Sequence, residues 1–314
     1  MATRERVLVT GGSGFIGACL VRELIAGGRD VHLMLRPESR TWRLAAIEGQ
    51  YTRHDADLRD AEAVRSAIRA SRPDVIYHLA ATGTFHFQCD RAAILTVNVL
   101  GTMNLLEALE NQDYRALIYT GSSSEYGHKD RPMRADDRLD PRGEYAIGKV
   151  ASAHLCQAAA YRGRPNTVVR VFSAYGPWED PKRIASYVMG CCERGETPRV
   201  TSGLQPRDFI YVEDVTALLR TAAAEPKVHG RILLAGTGQR QTVRDMVETI
   251  VAVCGGKPAE YGAEPPRSDE PAVWQADIEE TTALTGWRPR YDLRTGVEQM
   301  WAWFRANGGR AAAA

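Results

Sequence analysis

"LVTGGSGFIG" (residues 8–17) joins an apolar run to a turn with glycines at 11, 14 and 17, and a helical pattern follows. Gly11 permits the tight turn, Gly14 lets backbone approach a ligand closely, and Gly17 lets a helix lie against a strand. A strand, a glycine turn and a helix in that order aim helix N–H groups and the positive dipole end at a pyrophosphate. Ser13, Phe15 and Ile16 complete the turn. A glycine-rich turn with no ligand is the plainer alternative. The place of this one, between the first strand and the first helix, argues for dinucleotide binding.

Outward from that turn, short apolar runs alternate with helical periodicity. Strands are predicted at 6–10, 30–35, 74–80, 116–121, 167–176 and 230–236, and helices at 15–28, 60–70, 92–111 and 143–163. After Gly176 come a Pro-rich loop and a helix over 184–195, then a strand and helix within 207–225. A further helix spans 242–255, and two more lie near the C-terminus. Strands apolar on both faces argue for an α/β fold, a Rossmann-type doubly wound parallel sheet with a smaller C-terminal α/β substrate domain. The dinucleotide-binding domain takes residues 1–176 and 207–236, and the substrate domain 177–206 and 237–314.

The 314 residues are 44% hydrophobic and 25% charged, with a formal net charge of +1, so neither nucleic acid nor a membrane surface is an expected partner. No apolar run is long enough to span a bilayer, and the first residues enter a strand without a signal-like region. The six cysteines lack metal-ligand spacing and the histidines are scattered; reduced core thiols, no metal and a cytoplasmic location are expected.

With its later motifs, the chain resembles the extended short-chain dehydrogenase/reductase family, which includes sugar-nucleotide epimerases, dehydratases and reductases. The resemblance runs from about Arg6 to about Phe304. Its NAD-type members commonly carry an acidic residue at the end of the second strand, where this chain has Leu35 followed by Arg36. A guanidinium can bind a 2′-phosphate that a carboxylate would repel, and Ser39, Arg40 and Arg43 lie near in sequence. NADP(H) is therefore the expected cofactor, with NAD(H) as the alternative. The resemblance makes Asp57 and Leu58 adenine-side residues and Ala80 and Ala81 small residues beside the cofactor. His78 reads as a packed strand residue.

"YAIGK" puts Tyr145 and Lys149 on one helix face. The resemblance makes Tyr145 the proton donor and has Lys149 hold the nicotinamide ribose and lower the phenol's pKa. It places a catalytic Ser or Thr four residues before the Tyr of a Tyr-Gly pair, which in "SSSEYG" (122–127) is Ser122. Ser123 and Ser124 follow as substrate-side residues, and Ser124 stands where 4,6-dehydratases carry an acid. Glu125, one step on, points to the other face and reads as structural. "RDFIYVEDV" and "PPRSDEP" make Arg207 and Arg267 diphosphate candidates, arginine being suited to bind two phosphate oxygens. Ser173 replaces the Asn usual at a substrate-touching position.

The motif is most similar to the 4-keto-6-deoxyhexose-nucleotide reductase subgroup. The reading is NADPH-dependent reduction of a nucleotide-activated 4-keto-6-deoxyhexose. Its alternatives are an NAD-dependent 4-epimerase, a 4,6-dehydratase and a ketoreductase for a non-nucleotide compound. The family also implies a homodimer through helices near Asn98–Glu110 and Tyr145–Tyr161.

Overall fold

The computed structural model describes residues 4–84, 90–265 and 270–307. β1 (Arg6–Thr10) leads through the glycine turn into α1 (Phe15–Ala26) and β2 (Asp30–Leu35). A 3-10 turn at Trp42–Ile47 precedes β3 (Thr52–Asp55), α2 (Ala61–Ser71) and β4 (Val75–His78). Next come α3 (Arg91–Leu95), a π turn (Thr96–Leu100), α4 (Gly101–Ala108) and β5 (Ala116–Ser122). A short turn, Ser123–Tyr126, then leads to α5 (Glu144–Tyr161), β6 (Asn166–Val171) and β7 (Ser173–Tyr175).

The second half runs α6 (Ile184–Arg194), β8 (Arg199–Val200), β9 (Pro206–Arg207), β10 (Phe209–Tyr211) and α7 (Val212–Ala224). It ends with β11 (Ile232–Ala235), β12 (Gln241–Thr242), α8 (Val243–Cys254), β13 (Glu260–Tyr261), α9 (Glu279–Thr285) and α10 (Leu293–Ala306).

Seven strands make one parallel sheet in the order β11-β6-β5-β4-β1-β2-β3. The chain leaves β1 toward one edge and returns to build the other half from β4 outward. The crevice between the ends of β1 and β4 is thus the switch point at which open α/β sheets bind ligands. One face is covered by a core that includes Leu20 and Val21 of α1 and Val215 and Leu219 of α7. The opposite face packs Ile68 of α2, Leu105 of α4 and Cys156 of α5. A separate core joins α6, α8 and α10 through Val188, Met246 and Met300.

The helix boundaries have local causes. Asp60 caps α2 by accepting from the Glu62 and Ala63 N–H groups at 3.0 Å, and Thr242 and Asp245 cap α8 reciprocally. α1 has neither a side-chain cap nor an acidic residue in its first turn, so its first N–H groups are open to an outside acceptor.

Three details depart from the sequence pattern. β3 has no apolar run, because an edge strand mostly open to water needs none. The strand expected over 167–176 breaks at Phe172, where the Ser173 N–H turns to the Asp208 carbonyl at 3.0 Å and β7 pairs with β10. The long helix over 92–111 is interrupted by the π turn. There the Asn98 carbonyl accepts from Ser152 Oγ at 2.7 Å and Thr102 Oγ1 at 2.6 Å, while its side-chain amide clasps the Thr82 backbone.

Candidate active site

The glycine turn is made by backbone pressed on backbone. Gly11 has φ +72°, and a Cβ there would lie 2.6 Å from Ala80 N, so β1 ends directly on the end of β4. A Cβ on Gly17 would lie 2.2 Å from Gly11 O, so only glycine lets α1 start this close. Gly14 is exposed and donates its N–H to Gly11 O at 3.0 Å, and Ser13, Phe15 and Ile16 are half-buried around it. Ala80 donates its N–H to Thr10 Oγ1 at 3.3 Å and Ala81 is exposed beside it.

The adenine-side candidates lie across the same edge. Leu58 is buried, and the Arg59 guanidinium grips Asp57 and holds its carboxyl below the usual carboxylate range. Arg36 and Arg40 are exposed, and Arg36 pairs with Glu38 at 3.3 Å. Arg43 is differently employed: its Nε donates to Trp178 O at 2.8 Å and its Nη1 to Ser13 O at 3.4 Å. It ties the glycine turn to the loop after β7.

At the end of β5, Ser124 Oγ lies 2.8 Å from Ser122 Oγ, and the Ser124 N–H donates to the same oxygen at 3.2 Å. Ser123 is buried. Burial raises the Tyr145 phenol above its ordinary range; the Ser122 hydroxyl opposes this, Glu125 adds to it, and Arg183 lowers it. Lys149 is buried, donates to Thr120 O and sits 4.5 Å from the Tyr119 ring centre. Burial brings its ammonium down to about 8, with Glu125 pulling the other way. The groups acting on the phenol therefore differ from the sequence-based expectation, in which Lys149 supplied the shift. His78 is locked between Thr10 and Thr102 at 2.6 and 2.9 Å, and burial keeps it neutral with a pKa of about 3.

Beneath the serines, Glu125 and Arg170 form an ion pair of 2.7 Å with side chains 0% and 1% exposed. On the substrate side, Ser173 is half-buried on β7. Arg207 donates to Glu270 at 2.8 Å and lies 5.8 Å from the Trp274 ring centre. Arg267 lies outside the described residues, as do Cys89 and the C-terminal tail.

Residues 7–236 match the model of the NAD dependent epimerase/dehydratase family. The chain belongs to this family. A UDP-glucose 4-epimerase of Mycolicibacterium smegmatis is 31% identical over 312 residues, covering 96% of this chain and 98% of the relative. The crystal structure of a UDP-glucose 4-epimerase with UDP-glucose from Thermotoga maritima is similar at a TM-score of 0.88 and 25% identity, covering 96% of this chain and 99% of that one. A Thermus thermophilus UDP-glucose 4-epimerase in complex with NAD gives 0.85 and 27%, with the same coverage.

In this epimerase/dehydratase-family chain the β1 turn suits a dinucleotide on its own geometry. The first turn of α1 is uncapped and without acid, and a Cβ on Gly14 would meet only Gly11 O. Arg170, Arg183 and Glu270 are not among the residues that the sequence motifs single out. An arginine inside the apolar strand "TVVRVF" was the visible signal for the first. Nothing local marked Glu270, whose partner Arg207 lies 63 residues away, or pointed Arg183 toward Tyr145.

Among the described residues no helix is long and apolar enough to cross a membrane.

Proposed function

We propose that the protein is an NAD-dependent sugar-nucleotide 4-epimerase. The observation that carries the reading is the state of Glu125, the only carboxylate in the segment from Thr120 to His128. It is fully buried and engaged by Arg170 and the Ser122 N–H, so it is not free to move a proton on a sugar carbon as a 4,6-dehydratase requires. What remains at the strand end is a serine, a phenol and a lysine, a set suited to alkoxide chemistry at one hydroxyl-bearing carbon. Relatives named as UDP-glucose 4-epimerases support the same choice over the net reduction expected from the motif.

Gly11, Ser13, Gly14, Phe15, Ile16 and Gly17 would hold the pyrophosphate, with Asp57 and Leu58 along the adenine side and Ala80 and Ala81 beside the cofactor. The bound nicotinamide supplies a reversible acceptor for the C4 hydride. Tyr145 takes the proton from the 4-hydroxyl as the carbon is oxidised and returns it after reduction from the opposite face. Ser122 donates a hydrogen bond to the same oxygen, with Ser123 and Ser124 beside it. Lys149, one turn along α5, holds the nicotinamide ribose. Arg207 and Arg267 would take the substrate diphosphate, with Ser173 near the sugar and residues 177–206 and 237–314 forming the substrate domain. An incoming diphosphate would compete with Glu270 for Arg207.

The enzyme mixed with NAD and UDP-glucose should form UDP-galactose with no net change in reduced-nicotinamide absorbance. Failure to epimerise any UDP- or dTDP-hexose would sink the proposal. One observation favours a second reading: β2 ends on Leu35 where an acid is usual, and Arg36 directly after it suits NADPH and net reduction of a 4-keto sugar. Stoichiometric consumption of NADPH with such a sugar would replace epimerisation by reduction. A homodimer belongs to the proposal as well, since Leu95, Leu100, Met103 and Ile147 of the α3–α4 and α5 helices are exposed. A monomer by light scattering at micromolar concentration would remove it.

A further inference from the structure

We propose that Glu125 is a positioning residue: clamped by Arg170, its carboxylate fixes the Ser122 end of β5 and keeps a negative charge beneath Tyr145 and Lys149. The inference rests on the roles given above to those three residues.

Four independent contacts build the clamp. Ser122 N donates to Glu125 Oε1 at 2.7 Å, and Arg170 Nε donates to Oε2 at 2.7 Å. Arg170 Nη1 goes on to Tyr126 Oη at 2.8 Å and Ala135 O at 3.1 Å, so the guanidinium is itself immobilised. Gly121 makes room for the pair, since a Cβ there would lie 2.6 Å from Glu125 Oε1 and 3.1 Å from Arg170 Cγ. The backbone of β5 therefore gives up a side chain in its interior to admit a charge. Such a pair is weak evidence of stabilisation, because well-packed apolar residues often replace a buried ion pair without loss.

The charge reaches the working residues. Glu125 raises Lys149 against the burial that lowers it, and raises Tyr145 in the same direction as burial. The other groups around Lys149 are Tyr119 of β5, Cys156 of α5 and the neutral His78 of β4; around Tyr145 they are Ser122 and Arg183. Among these, Glu125 supplies the negative charge that favours a protonated Lys149 at neutral pH. Without it the ammonium loses its proton at lower pH, and the hold on the ribose weakens sooner as pH rises.

The test is dinucleotide affinity against pH, with no sugar present, for wild type, Glu125→Gln and Glu125→Gln/Arg170→Met. The double variant leaves no unpaired buried charge, and it carries the test if the single variant does not fold. The alkaline fall-off of affinity should move to lower pH by roughly one unit in Glu125→Gln, the scale set by one nearby charge, and in the same direction by less in the double variant, which also removes the Arg170 cation. A fall-off that stays in place, with affinity or melting temperature reduced equally at every pH, would make Glu125 a structural filler and overturn the proposal. Because no sugar is present, failure to turn over UDP-hexoses would strike the proposed reaction and not this result.

Discussion

The ends of β1 and β5 open on the same edge of one sheet, both are rich in glycine and serine, and they are built on opposite principles. At β1 the glycines let backbone meet backbone: Gly11 abuts Ala80 N, and Gly17 abuts Gly11 O. No ionisable side chain occurs from Thr10 to Gly17, and what the turn offers is a set of N–H groups and a dipole. At β5, Gly121 makes space for the side chains of Glu125 and Arg170. One end offers fixed partial charges that hardly respond to pH. The other holds a full charge under titratable groups, so its behaviour depends on protonation. On the proposed function the difference separates binding from chemistry, and substitutions at the two ends should separate in the same way.

The largest effect is expected from Tyr145→Phe. Losing one transferable proton should cut turnover by roughly a hundred- to ten-thousand-fold, the usual range for a positioned acid or base. Dinucleotide affinity should hardly change, since the β1 turn is untouched. Turnover near the wild-type rate would take Tyr145 out of the chemistry and leave the contrast between the ends without support.

Next comes Gly17→Ala. The added methyl has nowhere to go but into Gly11 O, and overpacking of this kind costs about 1–3 kcal/mol. Dinucleotide affinity and melting temperature should both fall, while the pH dependence of the remaining turnover keeps its shape. A changed pH profile in this variant would show that the two ends are coupled.

Arg36→Asp should do least. The side chain is exposed and already paired with Glu38, so its contact with a 2′-phosphate is screened by water. The ratio of NADP to NAD affinity should drop by about tenfold, the scale of one solvent-exposed charged contact. An unchanged ratio, measured by competitive binding, would leave cofactor choice to residues other than Arg36 and weaken the reductive reading.

Much of the candidate site was legible because short-range spacing marks its positions and the family resemblance supplies their expected roles. Three glycines after an apolar run, or a tyrosine and a lysine four apart, constrain local geometry wherever the chain goes next. Glu125 was visible too, as a residue one step past the serines and facing the other way. Its partner was not, because Arg170 lies 45 residues on, and adjacent parallel strands are what bring them together. For the same reason Arg43 could be seen only as one more base near the end of β2, although Ser13 and Trp178 carbonyls occupy it.

The sequence by itself determined the alternation of strands and helices and the glycine turn between β1 and α1; Ser122, Tyr145 and Lys149 it nominated only through the family resemblance. Periodicity and glycine spacing act over a few residues, where backbone sterics leave few choices. Tertiary structure alone decided which charges meet. It closed Glu125 on Arg170, set Glu270 on Arg207, turned Lys149 to Thr120 O and broke the strand at Phe172 so that Ser173 joins β10. Such pairings depend on distance in space and on the loss of water around each group, and neither is written in the order of residues.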